Sequence, residues 1–155
     1  MLVAILTSFS FTSKAQEGGF SAGAEIGLPM GDFGDFASTG FGASIRYEAG
    51  MSDNLALTGD LGYLTFSTDF DESVNMIPIQ AGAKYYTDEV GSGFYAMGQF
   101  GVHNTSFGDN SETNLSFAPS AGYAMESIDI GLRYQVVNGD NTNTSYIGLR
   151  GAYKF

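Results

Sequence analysis

Eight charged residues have a spacing that would bring them together on one face of a sheet. Each lies in a segment of about ten residues where apolar side chains alternate with small or polar ones. All eight fall on the small, polar side: Glu25, Arg46, Glu48, Asp60, Lys84, Asp129, Arg133 and Arg150. Four acids and four bases held together out of water must pair, because an isolated buried charge costs several kcal/mol. The spacing predicts a network of ion pairs.

Two further groups could carry chemistry. His103, the sole histidine, lies near Asp109 at the predicted outer end of a strand, but the spacing supplies no base and nucleophile for catalysis. It also lacks the partner ligands of a zinc site. The acids Asp69, Asp71 and Glu72 could hold Ca²⁺ through their oxygens, although a solvated loop is the simpler interpretation. We therefore predict no catalytic residue, no metal site and no cofactor.

The elements that must position these side chains are strands. After Gly18 a period of two recurs eight times, and no helical period extends beyond one turn. No segment has the ~20 continuous apolar residues of a membrane helix, whereas each segment suits a tilted strand that crosses a bilayer. The predicted strands are 19–28, 39–49, 54–66, 76–86, 94–103, 115–125, 128–137 and 145–155. Pro78 and Pro119 fall inside strands, where we expect β-bulges or a position near the strand end.

The composition of the two faces favours a membrane barrel over a soluble sandwich. The charged face is rich in Gly, Ser and Ala, and the lumen of an eight-stranded barrel is wide enough only for side chains. Charged residues make up 15% of the chain, against roughly 25% in typical soluble domains. The aromatic residues of the apolar face lie near strand ends, as in the girdles of outer-membrane barrels. One predicted girdle holds Phe20, Tyr47, Tyr85, Phe94, Tyr123, Tyr153 and Phe155, and the other holds Phe41, Tyr63, Phe117 and Tyr134.

The connections alternate in predicted length and character. Segments 29–38, 67–75, 104–114 and 138–144 are long and acidic, whereas 50–53 and 126–127 are tight and 87–93 is intermediate. Long extracellular loops with short periplasmic turns are usual in such barrels, so both termini are predicted to lie in the periplasm.

Charge and cysteine content exclude several classes of protein. Six basic residues against 17 acidic ones give a net charge of -11, which excludes a nucleic-acid partner. Without cysteine there is no disulfide framework and no cysteine-based metal site. Residues 1–15 are predicted to be a secretory signal peptide, with a barrel domain at 16–155; the apolar start ends in Ser13-Lys14-Ala15, a small-residue cleavage site. The missing basic region indicates a start codon assigned too late, and a buried N-terminal strand is the alternative interpretation.

Four motifs give the sequence a family resemblance over residues 18–155. They are GLPMGDFG at 27–34, GFGA at 40–43, SDNLALTG at 52–59 and GYL at 62–64. With these motifs the chain resembles the outer-membrane protein β-barrel domain family, the small eight-stranded barrels of Bacteroidota-like bacteria. Its ending, with Tyr153 and Phe155, is similar to the signal read by the barrel-assembly machinery. The resemblance implies a cell outer-membrane location, with outer-membrane lipid, that machinery and periplasmic chaperones as partners.

The function expected from these observations is a non-enzymatic, integral outer-membrane barrel with a plugged lumen and acidic extracellular loops. Tyr86, Tyr95 and Tyr146 share the charged face and would fill further volume in the lumen. A narrow pore for small solutes is the first alternative. A soluble barrel that binds a ligand is the second, and a lipid-modifying enzyme with His103 at its outer rim is the third.

Overall fold

The computed structural model describes residues 19–35, 37–69, 73–139 and 143–155, which form one closed antiparallel barrel. Its strands are β1 (Gly19–Met30), β2 (Ala37–Gly50), β3 (Leu55–Thr68), β4 (Val74–Tyr86), β5 (Gly93–Phe107), β6 (Asn110–Ala124), β7 (Ile128–Val137) and β8 (Thr144–Lys154). A single helical turn, α1 (Gly31–Gly34), joins β1 to β2. The predicted eight-stranded up-and-down barrel is confirmed, and the predicted signal peptide lies outside the described residues. Over these ranges no helix is long and apolar enough to span a membrane.

The barrel closes where β1 meets β8. Their ladder runs from Ser21↔Lys154 to Met30↔Ser145, and Phe155 N then donates to Phe20 O at 2.9 Å. An even number of strands lets the first and last pair antiparallel. Because hydrocarbon offers no hydrogen-bonding partner, this closure removes the open edge that a lipid environment would not tolerate.

The alternating pattern turns the apolar side chains outward. Ile45 is 50% exposed and Leu132 is 54% exposed, whereas the neighbouring Arg46 and Arg133 are buried. A soluble protein would bury its large aliphatic side chains and expose its arginines. The reversed arrangement provides an apolar surface for lipid and a polar interior.

The barrel has two distinct ends. We call the end that holds Gly19, Phe155 and the connections 51–54, 87–92 and 125–127 the terminal rim. The opposite end, with the connections 31–36, 69–73, 108–109 and 138–143, is the distal rim. At the terminal rim, aromatic rings pair on the outer surface. These pairs are Phe20–Tyr47 at 4.9 Å, Phe94–Tyr123 at 4.8 Å and Tyr153–Phe155 at 5.6 Å between ring centroids.

The predicted contrast between long and short connections is wrong. Residues 104–114, predicted to be a loop, are mostly strand, because β5 and β6 continue to a two-residue turn at Gly108 and Asp109. Gly108 has a φ of 59° and closes the hairpin Phe107↔Asn110; glycine at the first turn position is typical of tight type II′ hairpins. The strands also extend into the other three predicted loops. The distal connections are therefore about as short as those of the terminal rim.

Neither alternative predicted for the strand prolines is found, because Pro78 and Pro119 lie inside β4 and β6 and no bulge forms beside them. Beside Pro78 the β3–β4 ladder is interrupted and then resumes in the same register, and the β6–β7 ladder does the same beside Pro119. Each proline lacks one donor, but its other flank stays fully paired, so no extra residue is inserted. Near the second gap, Gln135 Nε2 donates to the Phe117 carbonyl at 3.1 Å and satisfies an acceptor of the ladder.

The barrel lumen as candidate functional site

The eight charged residues predicted to form a network all lie inside the barrel, each less than 9% exposed. They come from six of the eight strands, so their contacts are set by closure of the barrel rather than by neighbours in sequence. The structure separates them into two clusters along the barrel axis. The lysine cluster lies nearer the terminal rim, and the arginine cluster lies at mid-height.

The lysine cluster consists of one ammonium group between two carboxylates and two phenols. Lys84 Nζ lies 3.2 Å from Glu48 Oε2 and 2.6 Å from Asp129 Oδ2. Tyr86 donates to the other Glu48 oxygen at 2.5 Å, and Tyr95 donates to the other Asp129 oxygen at 2.7 Å. Lys84 Nζ also lies 3.9 Å from the centroid of the Tyr95 ring, a cation–π contact. The polar groups of these five side chains thus bind one another.

Two glycines make room for the Tyr95 ring. A Cβ built on Gly122 or on Gly131 would collide with the Tyr95 hydroxyl oxygen. This explains why the inward face of β6 and β7 carries glycine opposite a large aromatic residue. The two glycines therefore leave the room in the lumen that the Tyr95 ring occupies.

The arginine cluster begins with a pair between adjacent strands. Arg46 Nε donates to Asp60 Oδ1 at 2.7 Å, and Gln99 Nε2 donates to the other Asp60 oxygen at 2.7 Å. Arg46 and Asp60 are also register partners in the β2–β3 ladder. A direct cross-strand pair of opposite charge is a favourable arrangement in a sheet.

The rest of the arginine cluster spans the closing seam. Arg133 Nη2 donates to Glu25 Oε2 at 2.9 Å, and Ser44 Oγ donates to Glu25 Oε1 at 3.2 Å. Arg150 Nε donates to Ser44 Oγ at 2.8 Å and lies 4.0 Å from Glu25 Oε1. Arg150 Nη2 reaches the Ser21 hydroxyl at 3.2 Å. One carboxylate on β1 is therefore shared by arginines from β7 and β8.

His103 lies in the lumen rather than at the outer end of its strand, which corrects the sequence prediction. It is fully buried, with Nδ1 at 2.8 Å from Ser116 Oγ and Nε2 at 3.2 Å from the Tyr146 hydroxyl. The same serine accepts a hydrogen bond from Gln80 Nε2 at 3.2 Å. The strand continues to Phe107, so a position predicted to end it lies well inside the barrel. A buried imidazole in this position has no access to lipid at the rim.

An apolar cluster closes the lumen below the distal rim, and we call it the apolar cap. Its members are Phe33, Ala37, Leu64, Phe66, Val74, Met76 and Tyr146. The ring of Phe33, on α1, lies 5.0 Å from that of Phe66, which in turn lies 5.3 Å from Tyr146. Phe66 and Tyr146 have no exposed surface. The helical turn between β1 and β2 thus places one aromatic ring over the mouth of the barrel.

Sequence reasoning missed the apolar cap. In the segments 61–66 and 74–77 large apolar residues occupy both faces, so alternation does not distinguish the inward side chains. The sequence did contain a sign of the apolar cap: Gly27 and Gly40, on either side of the α1 turn, leave room for a large inward side chain. A Cβ on Gly27 would lie 2.7 Å from the Phe66 ring, and one on Gly40 would lie 2.5 Å from it.

A cavity of about 250 Å³ opens at the terminal rim. Glu48, Lys154 and Val90 are among its lining residues. Lys154 Nζ donates to the carbonyls of Gly91 and Met125, which ties two connections together at this rim. The cavity borders the lysine cluster through Glu48, which pairs with Lys84.

The acidic run at 69–72 falls mostly outside the described residues, so the structure tests neither the preferred solvated loop nor the alternative Ca²⁺ site. Among the residues that are described, no group of three or more His, Asp or Glu side chains is arranged to hold a metal ion. Asp69, Asp109 and Glu112 are exposed at the distal rim.

Comparison with known proteins identifies the fold. The chain is similar to Ail, the attachment invasion locus protein of Yersinia pestis, with a TM-score of 0.62 and 14% identity over 89% of this chain and 97% of Ail. The N-terminal β-barrel domain of Pseudomonas aeruginosa OprF gives 0.61 and 17% over 90% and 100%. Neisserial surface protein A gives 0.60 and 18% over 88% and 97%. No protein-family model and no curated protein matches the sequence.

These similarities show a shared fold, that of small eight-stranded outer-membrane barrels of Gram-negative bacteria. The chain itself supplies the matching surface, a closed barrel with large apolar side chains outside and charged ones inside. Barrel, surface and neighbours together place the protein in the outer membrane.

Proposed function

We propose that this protein is a non-enzymatic barrel of the outer membrane whose lumen is plugged and whose distal rim is displayed at the cell surface. One observation supports the proposal: the side chains of the lysine cluster, the arginine cluster and the apolar cap are buried inside the barrel. Every one of the eight charged groups in that volume has a partner of opposite charge within 4.0 Å. The proposed role is therefore that of a structural protein of the outer membrane that exposes its distal rim at the cell surface.

The arrangement disfavours a pore. A hydrated solute would have to separate Lys84 from Asp129, pass the Arg133–Glu25 pair and then displace the rings of the apolar cap. Removing one partner from a buried pair costs about 3–5 kcal/mol, and several pairs lie in series. The cavity at the terminal rim gives access to the first layer only.

The distal rim supplies the surface that would be displayed. Its described acids, Asp35, Asp69, Asp109 and Glu112, are all exposed, and the chain carries a net charge of -11. We propose that this rim faces outward, with both termini in the periplasm, and that it presents an acidic surface to the medium. Ail is named for attachment and invasion; by analogy, contact with an external surface is one role that this rim could serve.

The same proposal covers biogenesis. A signal peptide at 1–15 would direct export of the domain at 16–155, chaperones would carry it, and the assembly machinery would read Tyr153 and Phe155. Exposure supports the last step, because Phe155 is 79% exposed and Tyr153 is 53% exposed on the outer surface at the seam. The motifs at 27–34 and 52–59 further favour the Bacteroidota branch of these barrels.

Single-channel recording of the refolded protein in planar bilayers at neutral pH tests the plug. We expect no stable conductance from the unmodified barrel. The double variant Arg133→Ala with Arg150→Ala should be less stable and should leak, because it removes two long side chains from the middle of the lumen. Steady, reproducible conductance steps in the unmodified protein would contradict the plug and make the narrow pore the better description.

A further inference from the structure

A chain of hydrogen bonds links the arginine cluster to the apolar cap through the hydroxyl of Tyr146. Arg133 Nη2, already bound to Glu25, also donates to the Tyr146 hydroxyl oxygen at 3.4 Å. The same hydroxyl lies 3.2 Å from His103 Nε2, and the Tyr146 ring packs against Phe66 with 5.3 Å between ring centroids. Tyr146 therefore contacts the arginine cluster with its hydroxyl and the apolar cap with its ring.

The donors and acceptors of this chain fix the position of the hydrogen on the imidazole ring. A guanidinium can only donate, so the Tyr146 oxygen accepts from Arg133 and has its one hydrogen left for His103 Nε2. Nε2 can accept this hydrogen only as the bare nitrogen of a neutral ring. The ring hydrogen then lies on Nδ1, which donates to Ser116 Oγ at 2.8 Å; that oxygen also accepts from Gln80 at 3.2 Å. Both ring nitrogens are thus satisfied when His103 is neutral.

The groups around His103 offer no acceptor for a second proton. They are Gln80 on β4, Ser116 on β6, Arg133 on β7 and Tyr146 on β8, and the charged one among them, Arg133, is itself a cation. An Nε2–H would point at the hydroxyl oxygen that Arg133 already reaches, and it would leave the Tyr146 hydrogen without its acceptor. Protonation of His103 therefore breaks the hydrogen bond that Tyr146 donates.

The charge balance of the lumen acts in the same direction. Its buried charged side chains are four acids and four bases, and each base lies within 4.0 Å of a carboxylate. Glu25, the carboxylate bound to Arg133, accepts its second hydrogen bond from Ser44. An imidazolium at His103 would add a positive charge that no described carboxylate balances, and an unpaired buried charge is strongly unfavourable. A protonated His103 thus favours a barrel in which water reaches the ring.

We propose that the His103–Tyr146 contact is an acid-sensitive latch that holds the apolar cap over the lumen, and that protonation of His103 opens the plug. The inference rests on the plug proposed above and adds its regulation. Protons reach the buried imidazole when the cap opens transiently, so acid increases the population of an open state that already exists. Because the distal rim is proposed to face the medium, the stimulus for this latch is acid outside the cell.

The expected size of the response follows from the uptake of one proton. A histidine in contact with water is protonated below about pH 6.5. When the open state takes up this proton and the closed state does not, each pH unit below that value raises the ratio of open to closed barrels up to tenfold. The ratio should therefore increase about 30-fold from about pH 7.5 to about pH 5.

Single-channel recording of the refolded protein in planar bilayers, with the same buffer on both sides, tests the latch against the variant His103→Gln. The glutamine amide can accept the Tyr146 hydrogen in place of Nε2 but does not take up a proton. We expect openings of the unmodified barrel to be rare and brief at about pH 7.5, to increase about 30-fold at about pH 5 and to subside when neutral pH is restored. His103→Gln should stay closed at both pH values.

Both proteins contain the same carboxylates, so an acid response that His103→Gln shares would belong to those groups and would overturn the latch. Nitrogen NMR of the His103 ring in the unmodified protein needs no variant and keeps the test decisive if His103→Gln fails to fold. The expected result at neutral pH is a hydrogen on Nδ1 and a bare Nε2. A hydrogen on Nε2, or an unmodified barrel that stays closed at about pH 5, would overturn the latch alone, whereas steady conductance at neutral pH would contradict the plug itself.

Discussion

Lys84 Nζ on β4 and Asp129 Oδ2 on β7 lie 2.6 Å apart, an ion pair that crosses the lumen. Because Lys84 also faces Glu48, its replacement leaves two buried carboxylates without their shared cation. We predict that Lys84→Met lowers the free energy of unfolding by about 3–5 kcal/mol. Urea titration in lipid vesicles measures this loss of stability.

Lys154→Met is the control, because Lys154 is bound only to carbonyls at the rim. This variant should cost about 1–2 kcal/mol. Equal losses in the two variants would argue against a network held by Lys84.

The lipid-facing surface can be tested at Leu57 and Leu132, which are 47% and 54% exposed. Arginine near the bilayer midplane costs about 2–4 kcal/mol on the outside of a barrel, so Leu57→Arg and Leu132→Arg should each destabilise refolding in vesicles by that amount. Met51, 56% exposed in a terminal-rim connection, is the control, and Met51→Arg should have little effect. Neutral leucine variants would mean that the inside and outside faces are reversed.

Deleting Phe155 tests assembly. Its backbone extends the β1–β8 ladder by one hydrogen bond, and its ring packs against Tyr153 at the seam. We predict that the deletion lowers the yield of folded barrel in the outer membrane several-fold. The measurement is the fraction of heat-modifiable, protease-resistant protein in the membrane. Phe155→Tyr keeps both the ring and the backbone, and it should assemble normally; unchanged yield after the deletion would contradict the role proposed for this residue.

The apolar cap predicts opposite outcomes for two glycines on adjacent strands. Gly40→Ala places a methyl group 2.5 Å from the buried Phe66 ring, so we expect a loss of about 1–3 kcal/mol from overpacking. Gly59 faces lipid with no atom within 4 Å of its built Cβ. Gly59→Ala should stabilise the strand by about 0.5–1 kcal/mol, because glycine inside a strand is entropically costly. The two unfolding midpoints decide the matter, and a shift in the same direction for both would argue against a packed cap.

The proposed orientation is testable with a short epitope. Inserted between Gly108 and Asp109, at the tip of the β5–β6 hairpin, it should bind antibody on intact cells. Inserted between Glu126 and Ser127, at the terminal rim, it should bind antibody only after the outer membrane is permeabilised. The reverse result would place the distal rim in the periplasm.

Sequence alternation identified which side chains face the lumen, because a strand exposes alternate residues whatever its partners are. Alternation could not identify which of the charged side chains form ion pairs with one another. Glu25 and Arg133 are 108 positions apart and meet only because the barrel closes with a particular stagger. The apolar cap was hidden for a related reason: Leu64 and Phe66 face inward next to the outward Tyr63, and alternation does not distinguish two apolar faces.

The prediction of the connection lengths was wrong for a different reason. Residues 110–114 are polar on both faces of β6, and 110–113 are exposed, so the sequence resembles a loop there. Pairing with β5 nevertheless keeps them extended, because the hairpin needs only backbone hydrogen bonds and a suitable turn. His103 was placed at a strand end for the same reason, since the strand was expected to finish where alternation stops.

The apolar cap lies between the exposed side chains of the distal rim and the lumen of the barrel. In the proposed plug, Phe33 and Phe66 block the lumen below the distal rim, so the exposed polar side chains of the β5–β6 hairpin would take no part in blocking it. Changes at Ser111, Glu112 or Thr113 would alter the chemistry that the environment meets and leave the permeability of the membrane as it was. In the proposed orientation, the distal rim would therefore be free to vary in sequence at little cost to the envelope.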